Sequence, residues 1–123
     1  MKDCLFCKII KGEIPSYKVY EDEDTLAFLD INPDSYGHTL VIPKKHFKNY
    51  EDITLETIKK VNETGKIVFK KIKDNLKADG IRLVQNNGII QDVPHYHIHI
   101  IPVYKSDKEN KKDFEQVLER LNN

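Results

Sequence analysis

The chain has 123 residues, of which 39% are hydrophobic and 33% are charged. This balance is typical of one globular domain with a charged surface, and it excludes a disordered chain. Lysine and arginine number 20, as do aspartate and glutamate, so no overall positive charge favours nucleic acid or an anionic membrane as a partner. The charged N-terminal segment and the lack of a long apolar run predict a cytoplasmic protein without a membrane span.

The first half of the chain predicts one short helix followed by three strands. Apolar residues at helical spacing favour one or two turns over residues 4–11. Alternating and β-branched residues predict strands at 17–21, 25–30 and 38–43, with an acidic turn between the first two. The Asn-Pro, Asp, Ser and Gly residues of 32–37 predict a loop.

The second half predicts a long amphipathic helix at about 54–77, closed by Gly80. Its apolar face consists of Ile58, Val61, Gly65, Val68, Ile72 and Leu76. The segments "IRLVQNNG" and "VPHYHIHIIP" predict two antiparallel strands with Asn87-Gly88 as the turn. A last helix is expected at about 111–121. This order predicts an α+β fold with a mainly antiparallel sheet.

Three of the five histidines alternate along the last predicted strand. Because strand side chains alternate between faces, His95, His97 and His99 should share one face, while the apolar residues between them pack on the helix. Three buried imidazoles without partners are costly, so this pattern indicates chemistry. Zinc-dependent hydrolysis and nucleophilic attack by an imidazole both fit the spacing.

The two cysteines form a Cys4-x-x-Cys7 pair, a spacing more typical of a metal or redox site than of a structural disulfide. A thioredoxin-like pair needs a strand before its first cysteine, and only three residues precede Cys4. Two free buried thiols are the remaining alternative.

Five segments, "DCLFCKIIKGEIP", "LAFLDINP", "GHTLVIPKKH", "NNG" and "QDVPHYHIHIIP", resemble blocks of the histidine-triad (HIT) family in order and interval. The chain looks like the Hint-like branch with a CxxC zinc motif. The resemblance covers about residues 3–104, followed by a helical tail at about 111–121. It implies a single HIT domain over 1–123, with a five-stranded sheet, one long helix, short N- and C-terminal helices, and a homodimer.

The resemblance also implies a nucleotide-binding hydrolase or nucleotidyl transferase. His97 would attack the α-phosphorus of a nucleoside phosphoramidate or related adenylate and form a covalent nucleotidyl-histidine. His99 would donate to the phosphate oxygens, and His38 would assist the leaving group or the phosphate. No catalytic metal is expected.

The remaining implied residues bind a purine nucleotide, AMP-like or GMP-like, and a structural zinc ion. Asp30 matches the ribose-binding carboxylate, and Asn86 and Gln91 match residues that hold the ribose-phosphate. The matching base-contacting residues are Phe6, Ile9, Phe28 and Ile31. The matching zinc ligands are Cys4, Cys7, His46 and His95.

One loop departs from the family pattern. Residues 88–91 form a shorter segment than usual, with Ile89 and Ile90 in place of small residues, and Asp92 stands where related proteins often have serine. A carboxylate there would repel a second phosphate, which favours substrates with a single phosphate. A dinucleoside polyphosphate hydrolase, a zinc hydrolase and a nucleotide-binding regulatory module with incidental turnover remain alternatives.

Overall fold

The computed structural model describes residues 3–106 and 109–123. One sheet contains five strands in the order β1-β2-β3-β5-β4, and every neighbouring pair is antiparallel. The strands are β1 Lys18–Glu21, β2 Thr25–Leu29, β3 Thr39–Pro43, β4 Gly80–Val84 and β5 Ile98–Val103. The helices are α1 Leu5–Ile10, α2 Leu55–Leu76 and α3 Phe114–Leu121. The predicted α+β fold with one long helix is confirmed.

The long helix α2 covers one face of the sheet. Its N-terminus is capped by the Thr54 side chain, which accepts a hydrogen bond from the Thr57 amide. Val61, Val68 and Ile72 are fully buried in the core on this face. Gly65 allows α2 to approach β5 closely, since a Cβ atom there would lie 3.2 Å from Ile98 Cδ1.

The short helix α1 covers the opposite face. Phe6 and Ile9 pack with Leu26, Phe28 and Leu40, so β2 and β3 are buried on both sides. The Cys4 Sγ atom caps α1 by accepting the Cys7 amide at 3.4 Å. A helix of six residues is unstable alone, and this packing keeps it in place.

The predicted histidine strand is shorter than expected, because β5 begins at Ile98 and not at Val93. The preceding residues bond elsewhere: the amide of Tyr96 donates to the Phe47 carbonyl at 2.6 Å. The alternation nevertheless holds, since Tyr96 is in the core below α2 while the His95 and His97 rings contact Phe6 of α1.

The link between β4 and β5 is also different from the prediction. Asn87-Gly88 does not make a tight hairpin turn; residues 85–97 form a longer connection that contains one 3₁₀ turn, Gly88–Ile90. The isoleucines of this turn are exposed. The side chain of Asn87 accepts a hydrogen bond from the Tyr50 amide, which ties the connection to the segment before α2.

The bounds of the long helix are confirmed, but its predicted closing residue and the predicted start of the last helix are wrong. The residue after α2 with left-handed backbone is Lys77, at φ 57°, whereas Gly80 begins β4. The last helix begins at Phe114, not at 111, because the Asp113 side chain caps it by accepting the Gln116 amide. Val117 and Leu121 are its buried residues, and Phe114 stacks on Tyr17 at 5.0 Å between ring centroids.

Candidate active site and zinc site

A cavity of about 200 Å³ lies between α1 and the sheet. It brings together seven of the predicted site residues: Phe6, Ile9, Phe28, Asp30, Ile31, His97 and His99. Helix α1 supplies two of them, and β2 and the loop after it supply three. The last two come from the histidine segment, residues 95–99. Leu5, Ile14, Ser16, Leu40, Asp92 and Val93 are among the further lining residues.

His97 is buried, and a backbone contact fixes its tautomer. Its Nδ1 lies 2.7 Å from the carbonyl oxygen of His95, and a carbonyl can only accept, so Nδ1 carries the hydrogen. The lone pair of neutral His97 is therefore on Nε2. Burial lowers the pKa of His97, which favours this neutral form near pH 7. The Phe6 ring packs edge-on against the imidazole at 5.1 Å.

His38 and His99 form a hydrogen-bonded pair beside His97. The backbone amide of Asp34 donates to His38 Nδ1 at 3.0 Å, so the hydrogen of neutral His38 is on Nε2. This Nε2 donates to His99 Nδ1 at 2.9 Å. The hydrogen of neutral His99 is then on Nε2, which is buried and has no partner among the described residues. His99 thus offers one N–H donor to a ligand.

Burial lowers the pKa of both members of this pair. Asp30 and Asp34 oppose the lowering at His38, and Asp30 Oδ2 lies 3.5 Å from His38 Nε2. Protonating either ring would also break a hydrogen bond that the ring now accepts. Both imidazoles therefore act as neutral groups near pH 7.

Three predicted residues do not line the cavity as the structure stands. His38 reaches it only through His99. The Gln91 side chain donates to the Lys48 carbonyl at 2.6 Å, outside the cavity. Asn86 is half-buried, and its carbonyl accepts a hydrogen bond from the Gln85 side chain. Contacts of Asn86 and Gln91 with a ribose-phosphate stay predictions.

The four predicted zinc ligands lie together at the start of the histidine segment. The ligand atoms of Cys4, Cys7, His46 and His95 are all within 4.8 Å of one another. His95 Nδ1 lies 3.5 Å from Cys4 Sγ and 3.6 Å from Cys7 Sγ. His46 Nδ1 lies 3.3 Å from Cys7 Sγ and 3.1 Å from His95 Nδ1.

This donor set fits tetrahedral zinc. With usual zinc–sulfur and zinc–nitrogen bonds, the edges of the ligand tetrahedron are about 3.3–3.8 Å, close to the observed 3.1–3.6 Å. His95 Nε2 donates to the Pro43 carbonyl at 2.8 Å, which leaves the Nδ1 lone pair for a metal. Burial lowers the pKa of His95 to about 4, so this imidazole is neutral as ligation requires.

The acidity of the Cys7 thiol also favours a bound metal ion. Burial, together with Cys4, raises the pKa of Cys7 to about 11. Protein groups alone thus disfavour the thiolate, and a divalent cation at the centre of the cluster would reverse that preference. The cluster therefore has the ligand types, the spacing and the outer hydrogen bond of a structural zinc site.

Backbone groups that hold the histidines were not predicted. The carbonyls of Pro43 and His95 and the amide of Asp34 set the tautomers of His95, His97 and His38 in that order, and His38 in turn sets that of His99. Spacing in sequence carries no signal for such contacts, since any residue type supplies them.

The sequence model of the HIT domain matches residues 11–106. Taken with the fold and the histidine site, this match shows that the chain belongs to the HIT domain family, which binds nucleotides and includes hydrolases. The cysteine pair with histidines close by is consistent with the Hint-like branch.

Individual relatives agree with this placement. An uncharacterized HIT-like protein of Methanocaldococcus jannaschii is 45% identical, covering 96% of this chain and 98% of its own. The adenosine 5'-monophosphoramidase of Saccharomyces cerevisiae is 44% identical over 80% of this chain and 61% of its own length.

Two crystal structures share the fold. A Hit-like protein from Bartonella henselae, described as involved in cell-cycle regulation, matches with a TM-score of 0.90 and 39% identity over 98% of this chain and 95% of its own. A zinc-bound histidine triad family protein from Mycobacterium smegmatis matches with a TM-score of 0.86 and 34% identity, over 98% and 94% of the two chains.

Proposed function

We propose that this protein hydrolyses purine nucleoside phosphoramidates or related adenylates, releasing the nucleoside monophosphate through a covalent nucleotidyl-His97 intermediate. The observation that carries the proposal is the pair of atoms at the cavity: a lone pair on His97 Nε2 and an N–H donor on His99 Nε2. The naming of the yeast relative as an adenosine 5'-monophosphoramidase supports the substrate class. A cytoplasmic location is part of the proposal.

Two displacements at phosphorus make up the reaction. The lone pair of His97 Nε2 forms a bond to the α-phosphorus, while the phosphorus–nitrogen bond breaks and its electron pair leaves with the amine, which takes up a proton from solvent. Water then attacks the nucleotidyl-histidine, loses a proton, and releases the monophosphate and neutral His97. Covalent catalysis of this kind replaces one difficult displacement by two easier ones.

His99 and His38 act as a fixed donor in both displacements. His99 Nε2–H would hydrogen-bond a phosphoryl oxygen, where negative charge must be stabilised in each transition state. His38 keeps His99 in that tautomer, and the Asp34 amide in turn keeps His38 in its own. Passing a net proton along this pair would leave His38 without a ring hydrogen, so the pair is better suited to orient a donor than to supply a proton.

The cavity also has the components to bind a nucleoside. Phe6, Ile9, Phe28 and Ile31 would contact the base, as apolar and aromatic walls do in most nucleotide pockets. One oxygen of Asp30 accepts a hydrogen bond from the backbone amide of Asn32 at 2.9 Å. This contact orients the carboxylate to accept hydrogen bonds from the ribose hydroxyls.

Zinc held by Cys4, Cys7, His46 and His95 would be structural in this protein. The zinc-bound relative of the same fold supports zinc as the metal. His95 links the two sites: its side chain belongs to the cysteine cluster, and its carbonyl holds the Nδ1 hydrogen of His97. The metal would thus fix the segment that orients the nucleophile, without contact to substrate.

A homodimer would complete the proposal. Strand β4 is an edge of the sheet, and a groove of about 300 Å³ beside it is lined by apolar Phe69, Leu83 and Ile98. Pairing of this edge with a second copy would satisfy its backbone groups and cover Leu83, which is 60% exposed. We expect Leu83→Lys to shift the sedimenting species from dimer to monomer, whereas Leu55→Lys, at another exposed leucine, should not. A wild-type monomer would contradict the dimer.

The function is tested by trapping the intermediate. An adenosine phosphoramidate labelled at the phosphate is mixed with excess protein, quenched within one turnover, and the protein is digested for peptide mapping. We expect label on the peptide that contains His97, and its disappearance as AMP forms. A nucleotide-binding module without catalysis would bind the substrate and show neither label nor product, which would refute the proposal.

In the part of the chain that the structure describes, no helix is long and apolar enough to cross a membrane.

A further inference from the structure

The mouth of the cavity carries a carboxylate that the proposed reaction does not use. Asp92 follows the exposed turn Gly88–Ile90 and lines the cavity together with His97 and His99. Burial lowers the pKa of both histidines, and the negative charge of Asp92 acts in the opposite direction and raises it. Within residues 3–106 and 109–123, the Asp92 carboxylate has no hydrogen bond and no ion pair. It is therefore available to a ligand.

The cavity has an unusual charge for a site that handles phosphate. Its described lining includes Asp30 and Asp92 but no lysine or arginine. The donor that it offers is the Nε2–H of His99, a side chain 7% exposed whose Nε2 has no partner in the described chain. One phosphoryl group suits such a neutral donor, whereas a run of phosphates needs cations to offset its charge.

We propose that Asp92 is a specificity-determining residue that selects leaving groups with a positive charge close to the phosphorus–nitrogen bond. The inference rests on the proposed function and narrows its substrates to phosphoramidates of cationic amines, such as a diamine. An ammonium group on the leaving amine would be attracted to the carboxylate, and a second phosphate would be repelled. The ammonium group itself takes no part in the bond changes at phosphorus.

Two matched substrates test the effect of this charge. Aminoethyl and propyl phosphoramidates of adenosine have leaving amines of similar length and differ in the terminal charge and in the basicity of the leaving nitrogen, and comparing the wild type with Asp92→Asn cancels the difference in basicity. We expect wild-type kcat/KM, which reports the first displacement, to favour the aminoethyl substrate at low salt about fivefold more than Asp92→Asn does, as for a partly exposed ion pair. Asp92→Asn should keep only the preference that the basicity of the leaving nitrogen gives, and higher ionic strength should reduce the wild-type ratio towards that value.

The control variant is Glu51→Gln, which removes one exposed negative charge from the segment that contacts the connection between β4 and β5. It should keep the wild-type ratio. An equal preference in wild type and Asp92→Asn would overturn the role of Asp92.

Binding separates this inference from the proposed function. With His97→Ala, which cannot form the intermediate, calorimetry gives dissociation constants for the same two compounds. Stronger binding of the aminoethyl compound, lost on adding Asp92→Asn, would support Asp92 even if the wild type failed to turn over. Turnover of both compounds with the same preference in wild type and Asp92→Asn would refute Asp92 alone.

Discussion

Replacing His97 with alanine should lower kcat for an adenosine phosphoramidate by about a thousandfold or more, while the dissociation constant for AMP changes little. The His95 carbonyl holds the Nδ1 hydrogen, so the Nε2 lone pair of His97 is available at the cavity. His99 cannot replace it, because its unpaired nitrogen carries a hydrogen in the tautomer that His38 sets. Steady-state kinetics and calorimetry with AMP measure the two quantities.

His99→Ala is the matched control, because it removes the donor and keeps the nucleophile. We expect it to slow turnover about a hundredfold, the usual effect of losing one donor to transition-state charge, and still to accumulate label on His97. Added imidazole should restore part of the activity of His97→Ala by acting as a free nucleophile. A His97→Ala enzyme within tenfold of the wild type would refute covalent catalysis by this residue.

The donor chemistry of the site gives little support to a zinc hydrolase. Among the described residues, His97 belongs to neither group of side chains that could hold a metal. The group nearest the cavity contains Asp30, His38 and His99. Because His38 Nδ1 accepts the Asp34 amide, ligation through Nε2 would require an anionic imidazole. A neutral His38 that orients His99 needs no such deprotonation.

Sequence reasoning predicted the faces of the histidine segment better than its secondary structure. The sequence predicts a strand from Val93, whereas β5 begins at Ile98, yet the side chains of His97 and Ile98 still point to opposite faces, as alternation requires. Alternation depends only on an extended backbone, whereas strand assignment needs a partner. Phe47 supplies the hydrogen bond at Tyr96 from a loop, so the backbone stays extended without a ladder.

Contacts that depend on tertiary structure could not be predicted. The resemblance predicts that Gln91 contacts the nucleotide, and this stays a prediction, but no motif predicts that its side-chain amide donates to the Lys48 carbonyl. That contact depends on the shortened loop, in which Ile89 and Ile90 are exposed in a 3₁₀ turn and Gln91 follows directly. Nor does a sequence pattern reveal that the Asp34 amide would set the tautomer of His38.

Removing zinc should destabilise the protein before it affects the chemistry. The metal would join α1 to the segment that begins with His95, and its ligand Cys4 also caps α1. Loss of the metal would therefore release both α1 and the segment that begins with His95. We expect the Cys7→Ser protein to bind less than stoichiometric zinc and to lose at least about 3 kcal/mol of unfolding free energy, as is usual when a structural metal site is broken. Metal analysis and urea unfolding measure both effects.

The order of events after chelation distinguishes a structural metal from a catalytic one. Zinc release, phosphoramidate turnover and far-ultraviolet circular dichroism are followed on one time axis after a chelator is added. Because the cluster contacts His97 through the backbone carbonyl of His95 and not through the metal, activity should decline with the structural change and later than zinc release. Loss of activity at the rate of zinc release, with the fold intact, would contradict a structural role. Cys7→His, which restores a zinc ligand that Cys7→Ser lacks, should recover metal binding and most of the lost stability.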